Sequence, residues 1–462
     1  MKPAKRSHSH EKGVLTVTDQ PFLVGYGRVD ITPLESVPLR GYGNTSRRMS
    51  QNILDPLYAT CLAMTDQSGT TLLLYALDLC VFGPISAARL RPNLSKATGI
   101  PQDRIMLSNS HTHSAPDLEN TEVPSAARYL DQLDQWLLTA ANLALDDQKP
   151  AQMEIADVQT EHLNFVRRYI LEDGTYAGDN YGHFKLSPIA AHESPVDAQM
   201  QFIQFRRTGG RDILLTNFQG HPTRTGGVLK YDVSADAVGA MRREVEAQTN
   251  CLFAYFSGGS GNVNLRSRIE QENLYQNHLD LGHAMAQYAL RAAGTFRPVR
   301  LGPIRTKARV LQCQTNHSLD HLVADAQKVI DLYQRTYDRP AATALAKSLG
   351  FNSVYHAIFA EKKSHLPAAI PIELNAVSIG DAAFVFAPYE MFDTNAMEIK
   401  QASPFSSTFV LTCSNADYDY VPSALGFDHG GYSADSCHFL PGTGELLAQA
   451  FIDLLHGLRQ LT

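Results

Sequence analysis

The sequence predicts an α/β fold in which mixed β-sheets pack together and are flanked by helices, and three observations predict it. Short apolar runs bounded by Gly, Pro, Asn or Asp read as strands, and longer stretches with apolar residues at three-and-four spacing read as helices. The two kinds alternate along the chain, yet some neighbouring strands are joined by tight turns. Crossover helices and hairpins in one chain mean a mixed sheet.

In chain order, "FLVGYGRVDITP" (Phe22 to Pro33) reads as an edge strand closed by a Pro turn, and "LRGYGN" (Leu39 to Asn44) supplies glycines for a sharp bend. "PLYATCLAMTDQSGTTLLLYALDLCVF" holds two strand runs about the turn "DQSG", a central hairpin whose second strand is apolar enough to be buried on both faces. Pro84 to Thr98 has helical spacing, and Pro101 to Leu107 returns to a strand. Ser125 to Gln148 is an amphipathic helix with Ser125 as its cap. Further strands are expected at Met153 to Val158, Gln199 to Arg206, Ile213 to Phe218, Leu252 to Phe256, Val377 to Phe386 and Thr408 to Cys413. Further helices are expected at Ala235 to Thr249, Leu279 to Ala293, Leu319 to Arg335 and Gly444 to Leu458. Tyr337 to Pro371 is expected as a long loop, a lid or wall. No repeat or linker interrupts the pattern, so residues 13–462 are expected to form a single domain behind a disordered tail, residues 1–12.

Composition narrows the function. With 44% hydrophobic and 19% charged residues the chain reads as an ordinary soluble globular protein. A net charge of -7 and the lack of a dense Lys/Arg stripe argue against a nucleic-acid partner. No window reaches the roughly 18 unbroken apolar residues of a membrane helix, and no apolar segment follows the basic amino terminus, so neither an integral membrane segment nor export is expected. Six scattered cysteines without Cys-x-x-Cys spacing read as buried free thiols in a reducing, cytoplasmic setting. His8 and His10 read as part of the solvated tail.

The chemistry gathers at strand ends. In "IMLSNSHTHSAP" a strand runs into His111 and His113, which on extended backbone point to one side. That geometry suits a metal ion or a hydrogen-bonded pair of core histidines. "LLTNFQGHPTRTGG" places His221 at a second strand end, "DAAFVFAPYEMF" places Glu390 at a third, and "STFVLTCSNADYDYVPS" brings Asp417, Tyr418, Asp419 and Tyr420 to a fourth. The spacing His-Thr-His-Ser-Ala-Pro-Asp does not match the His-x-His-x-Asp-His of metallo-β-lactamases, and the hairpins break the strict strand-helix repeat of barrel amidohydrolases.

From Val24 to about Leu447 the ordered set "VGYGRVDITP", "YALDL", "SNSHTHSAP", "NFVRRY", "NFQGHPTRTGG" with "SADAVG", "GGSGNVN", "VSIGDAAFVFAPYE" and "NADYDYVPS" resembles the amino-terminal catalytic domain of the neutral/alkaline, non-lysosomal ceramidases and their shorter bacterial relatives. Those enzymes hydrolyse the amide of an N-acylsphingosine with one zinc ion, and the resemblance implies an analogous zinc hydrolase here. It implies His111, His221, Glu390 and Tyr420 as metal ligands, His113 on the substrate side as a polarising or proton-shuttling group, and Arg167 and Tyr432 as donors to the developing oxyanion. Arg168 is the alternative to Arg167, and Asp78 is a candidate to orient a histidine ligand. In that reading zinc lowers the pKa of its water towards about 7 and the hydroxide attacks an acyl carbon.

Three departures shape the expectation. Where the ceramidases carry a serine in their glycine-rich motif this chain has Asn264, with Ser260 displaced, which favours direct attack by water. Pro-Tyr-Glu replaces Pro-Gly-Glu, adding bulk beside the metal. The carboxy-terminal immunoglobulin-like domain and the signal peptide of full ceramidases have no counterpart in the sequence. The expected substrate is therefore a small soluble amide or ester, with ceramide or another N-acyl lipid as the first alternative and a non-catalytic metal-binding relative as the second. Self-association into a homo-oligomer is neither required nor excluded.

Overall fold

The computed structural model describes residues 21–42, 48–178, 187–265 and 275–461. The tail at 1–12, with His8 and His10, lies outside the described residues. Nine strands form the larger sheet, in the order Cys251–Ser257, Asp212–Phe218, Gln199–Arg207, Lys149–Gln159, Leu23–Asp30, Tyr58–Thr65, Thr71–Leu77 and Ile105–Asn109, with Arg297–Val299 beside Lys149–Gln159. Its two outermost pairs are parallel, and the rest are antiparallel. A second sheet of four strands runs Ile304–Gln314, Ala369–Ile379, Ala382–Phe386 and Ser407–Leu411, with the last two parallel. The expected class, mixed sheets packed together and flanked by helices, is the observed one.

Side-chain alternation explains the layering. Leu62, Met64, Leu72 and Leu74 point inward and meet Phe205, Phe256, Val377, Phe384 and Phe409, which makes one apolar layer between the two sheets. Their neighbours Cys61, Ala63, Leu73 and Tyr75 point outward, where they are covered by the helices Pro84–Thr98 and Pro124–Asp146. Helices Asp236–Gln248 and His278–Ala292 cover the other half of the large sheet, and Asp393–Ala402 and Thr443–Arg459 cover the small one.

Several expectations need correction. Leu23–Asp30 is an interior strand rather than an edge, paired along its whole length with Tyr58–Thr65 and at its start with Lys149 and Pro150. Gly25 and Gly27 are there because a Cβ would stand 1.8 Å from the Ala144 carbonyl oxygen and 2.1 Å from that of Ala140: the helix lies directly on the strand. Helix Pro124–Asp146 starts on Pro124, with extended Val123 before it and no side-chain cap, so Ser125 is not the cap. Val377 to Phe386 is not one strand but the two arms of a hairpin that turns at Gly380. The stretch Tyr337 to Pro371 is no loop. It carries Arg339–Ser348, capped by Asp338, and Val354–Ser364, capped by Ser353, and Ala342, Ala346, Val354, Ala357 and Ala360 pack these on the helix Val323–Thr336. Small alanines supply much of the packing stripe.

Candidate metal and substrate site

Each expected ligand stands just past a strand whose neighbour is parallel to it. His111 follows Ile105–Asn109, His221 follows Asp212–Phe218, and Glu390 and Tyr420 follow Ala382–Phe386 and Ser407–Leu411. Glu390 and Tyr420 themselves form a short parallel pair, and Glu390 N–H donates to the Asp419 carbonyl at 3.0 Å. Backbone strain concentrates here: among the described residues, four of the seven non-glycine positions with positive φ are His111, Cys413, Asn415 and Asp419. Such conformations cost on the order of 1–3 kcal/mol each and persist where the surroundings hold them.

The histidines are aimed by main-chain carbonyls. His111 Nδ1–H donates to the Cys80 carbonyl at 3.1 Å, and His221 Nδ1–H donates to that of Val263 at 2.9 Å. In the neutral ring this anchoring turns each Nε2 lone pair to the centre, the form that binds a metal. His221 Nε2 lies 2.9 Å from Glu390 Oε2 and 3.3 Å from Tyr420 Oη, and His111 Nε2 lies 3.5 Å from Glu390 Oε2. Four-coordinate zinc with ligand bonds of about 2.0–2.2 Å needs donors about 3.3–3.5 Å apart. Two of the three separations fall in that range and the 2.9 Å one is shorter, so the donor set fits such an ion in chemistry and, to within a few tenths of an ångström, in spacing. His113 Nε2 is 3.3 Å from His111 Nε2, while its buried Nδ1 has no hydrogen-bond partner.

Charge is tightly coupled at this centre. Burial takes the His221 imidazole down to about 4, with Arg167 acting in the same direction. Burial and the two neighbouring histidines hold His113 well below the usual range. Burial alone would raise the Glu390 carboxyl, but His111 and His221 overcome it and hold the group well below ordinary carboxylates. Burial likewise opposes a charge on His111, which Cys413 and Glu390 nevertheless carry well above the usual imidazole range. Burial lifts the Tyr420 phenol well above its ordinary value, so ligation by Tyr420 calls for a cation to offset it.

The remaining expected residues divide. Arg167 Nη2 donates to Tyr420 Oη at 2.9 Å and to the Gly261 carbonyl at 3.0 Å. Tyr432 meets Tyr420 edge-on, with ring centroids 5.7 Å apart. Arg168 turns away and binds Glu193 through two hydrogen bonds, along with the carbonyls of Gly426 and Gly430. Asp78 orients no histidine: its carboxylate holds Arg242 and the Tyr58 N–H, because carbonyls already serve the imidazoles. Tyr389 is fully buried in the core under the small sheet, so the Pro-Tyr-Glu substitution adds no bulk beside the centre. Ser260 is buried with its hydroxyl 3.4 Å from that of Ser257, and Asn264 accepts from Thr223 and Leu265 N–H.

Two residues escaped the sequence reading. Cys413 Sγ lies 3.4 Å from His111 Nδ1, and Cys80 has its sulfur within 4.8 Å of donor atoms of His111 and His113. Both sat in runs that read as apolar strand, and only the folding of one sheet against the other brings them to the histidine.

Arg167 and Tyr432 border a cavity of about 740 Å³. Its walls are the hairpin at Arg168–Leu171 and Tyr176–Gly178, the turn between the helices Arg339–Ser348 and Val354–Ser364, and the segment 429–433. Asp173, Thr175, Lys347, Asn352 and Ser433 contribute polar groups to it, and Tyr176 stacks on His429 at 3.5 Å between ring centroids.

Two stacked mixed sheets with helices outside thus bring buried histidine, carboxylate and phenol groups together at strand ends, a donor set that could hold a metal ion. Among solved structures the chain is similar to the neutral ceramidase from Pseudomonas aeruginosa, with a TM-score of 0.71 and 17% identity over 96% of this chain and 75% of that one. It is similarly close to a ceramidase complexed with C2, with a TM-score of 0.71, 17% identity, and 96% and 76% of the two chains covered. The chain thus has the neutral-ceramidase fold. No family model and no curated protein matches it.

A buried carboxyl behind the ligands makes stability depend on pH. Asp393, fully buried, is raised by burial from 3.8 to about 6. The folded state therefore keeps a proton that the unfolded state gives up, and stability falls as pH rises from about 4 to about 6, by up to about 3 kcal/mol. Unfolding free energies from urea titrations across pH 4–7 should show this slope in the wild type and lose its contribution in Asp393→Asn. Parallel slopes for the two proteins would contradict it.

Proposed function

We propose that the protein is a zinc-dependent hydrolase that cleaves an amide (N-acyl, C–N) or ester bond of a small soluble substrate by adding water. The observation that carries this is the convergence of His111, His221, Glu390 and Tyr420 behind Arg167 and Tyr432, which border the cavity. When bound, zinc supplies Lewis acidity and an acidified water. Arg167 and Tyr432 donate towards the oxygen on which charge develops when water adds to the acyl carbon. His113 takes a proton at Nε2 and returns it to the leaving nitrogen or oxygen as the C–N or C–O bond breaks, giving an acid and an amine or alcohol. A pure zinc store has no use for this donor set, which weighs against a non-catalytic role.

The cavity wall mixes the polar groups of Asp173, Thr175, Lys347, Asn352 and Ser433 with Leu171, Tyr176, Ala177 and Phe351; the polar groups support a soluble substrate, and the apolar ones would take its acyl part. Among the described residues no helix is long and apolar enough to cross a membrane. The six buried, unpaired cysteines support a cytoplasmic setting. The fold of the ceramidases favours the second reading, hydrolysis of N-acylsphingosine or another N-acyl lipid. Zinc-loaded protein assayed against short N-acyl amides, short esters and micellar N-acylsphingosines separates the two. Higher kcat/KM on the short substrates is expected. Preference for the long-chain lipid would install the ceramidase reading, and full zinc occupancy with no hydrolysis of any of them would sink both.

A further inference from the structure

The motif "GGSGNVN" supplies no nucleophile, yet three of its residues touch the centre from several sides. Gly261 N–H donates to the Met391 carbonyl at 2.8 Å, and its own carbonyl accepts from Arg167 Nη2. The Asn262 carbonyl accepts from Arg167 N–H at 2.8 Å. The Val263 carbonyl accepts from both His221 N–H at 3.1 Å and His221 Nδ1–H at 2.9 Å. A Cβ on Gly261 would stand 2.5 Å from the Glu390 carbonyl oxygen, so the loop lies flat on the backbone that carries the carboxylate. Whatever sets this loop sets His221, Arg167 and Glu390 together.

One side chain does so. Asn262 Nδ2 donates to Asp393 Oδ1 at 2.7 Å, and Asn262 Oδ1 accepts from Asp393 N–H at 2.9 Å. Asp393 Oδ2 accepts from Asp197 N–H at 3.2 Å, and the Asp197 carbonyl in turn accepts from Gln219, two residues before His221. Asn262 and Asp393 are 2% and 0% exposed. The backbone N–H groups of Asp393 and Asp197 both depend on this pair, and the same bonds tie the loop to the start of the helix Asp393–Ala402. We propose that Asn262 and Asp393 are positioning residues that hold the Gly261–Val263 backbone, and through it His221 and Arg167, in register with Glu390. This rests on reading His111, His221, Glu390 and Tyr420 as a metal site.

The pair can be exchanged. Asn262→Asp sets oxygen against oxygen, and Asp393→Asn turns its amide against either the Asn262 amide or the Asp197 N–H. In the double variant Asn262→Asp/Asp393→Asn, the carboxylate at 262 accepts from the amide and the backbone N–H at 393, and the amide oxygen at 393 accepts from Asp197. All three hydrogen bonds return, one with its donor reversed.

The test measures zinc affinity by chelator competition on folded protein, with circular dichroism of the metal-free forms as the folding control. Each single substitution should weaken zinc binding about 10–100-fold, the range for groups behind metal ligands, and the double should restore it to within about threefold. If Asn262→Asp does not fold, Asn262→Ser, which removes one of the two bonds and adds no charge, should weaken binding about tenfold. Unchanged affinity in folded single variants, or a folded double variant that stays weak, would overturn the assignment. A wild-type chain that binds no zinc would overturn the metal-site reading itself and this inference with it.

Discussion

His221→Ala, and separately Glu390→Gln, should lower zinc affinity by more than about a hundredfold, beyond the 10–100-fold that groups behind a metal's ligands command, with hydrolysis falling alongside. His221 is the most connected of the four proposed ligands: its Nε2 is within 3.3 Å of both Glu390 Oε2 and Tyr420 Oη, and its Nδ1 is anchored on Val263. Glu390 is the one carboxylate among them, and Gln keeps its shape while removing the charge that the two histidines now hold. Elemental analysis after dialysis against a weak chelator reads the effect, and circular dichroism checks the fold. Full zinc occupancy retained by His111→Ala, His221→Ala and Glu390→Ala would remove the assignment.

The second large effect separates the adjacent arginines. Arg167→Met or Tyr432→Phe should lower kcat about 10²–10³-fold, about 3–4 kcal/mol of transition-state stabilisation, measured with saturating zinc so that the site stays filled even where loss of the Arg167 bond to Tyr420 weakens binding. Arg168→Met should act on stability instead. It leaves the buried Glu193 carboxylate with His429 Nδ1, at 2.6 Å, as its remaining partner, a loss of up to about 3 kcal/mol, and frees the carbonyls of Gly426 and Gly430. Steady-state kinetics and urea unfolding on the three variants distinguish these outcomes. A kcat for Arg167→Met near that of the wild type would place the oxyanion donor elsewhere.

Local pattern made most of the elements legible. The hairpin Tyr58–Thr65 and Thr71–Leu77, the helix Pro84–Thr98 and the strand Asp212–Phe218 follow from periodicity and turn residues, which act within a few residues of one another. The helices within 337–371 were missed for different reasons: Arg339–Ser348 has a cap at Asp338, a Pro at its start and contrasting faces that a loop reading passes over, whereas Val354–Ser364 gives little contrast between its buried and exposed faces.

At the site, the sequence by itself determined that His111, His221, Glu390 and Tyr420 each follow an apolar strand, since the apolar run and the polar, Gly or Pro residues that close it are written locally. Only the tertiary structure decided that these ends meet, that Arg167 rather than Arg168 turns inward, that Asp78 serves Arg242, and that Asn262 locks onto Asp393. Those outcomes depend on the register of two stacked sheets and on hydrogen bonds between residues more than 100 positions apart, and no spacing along the chain encodes them.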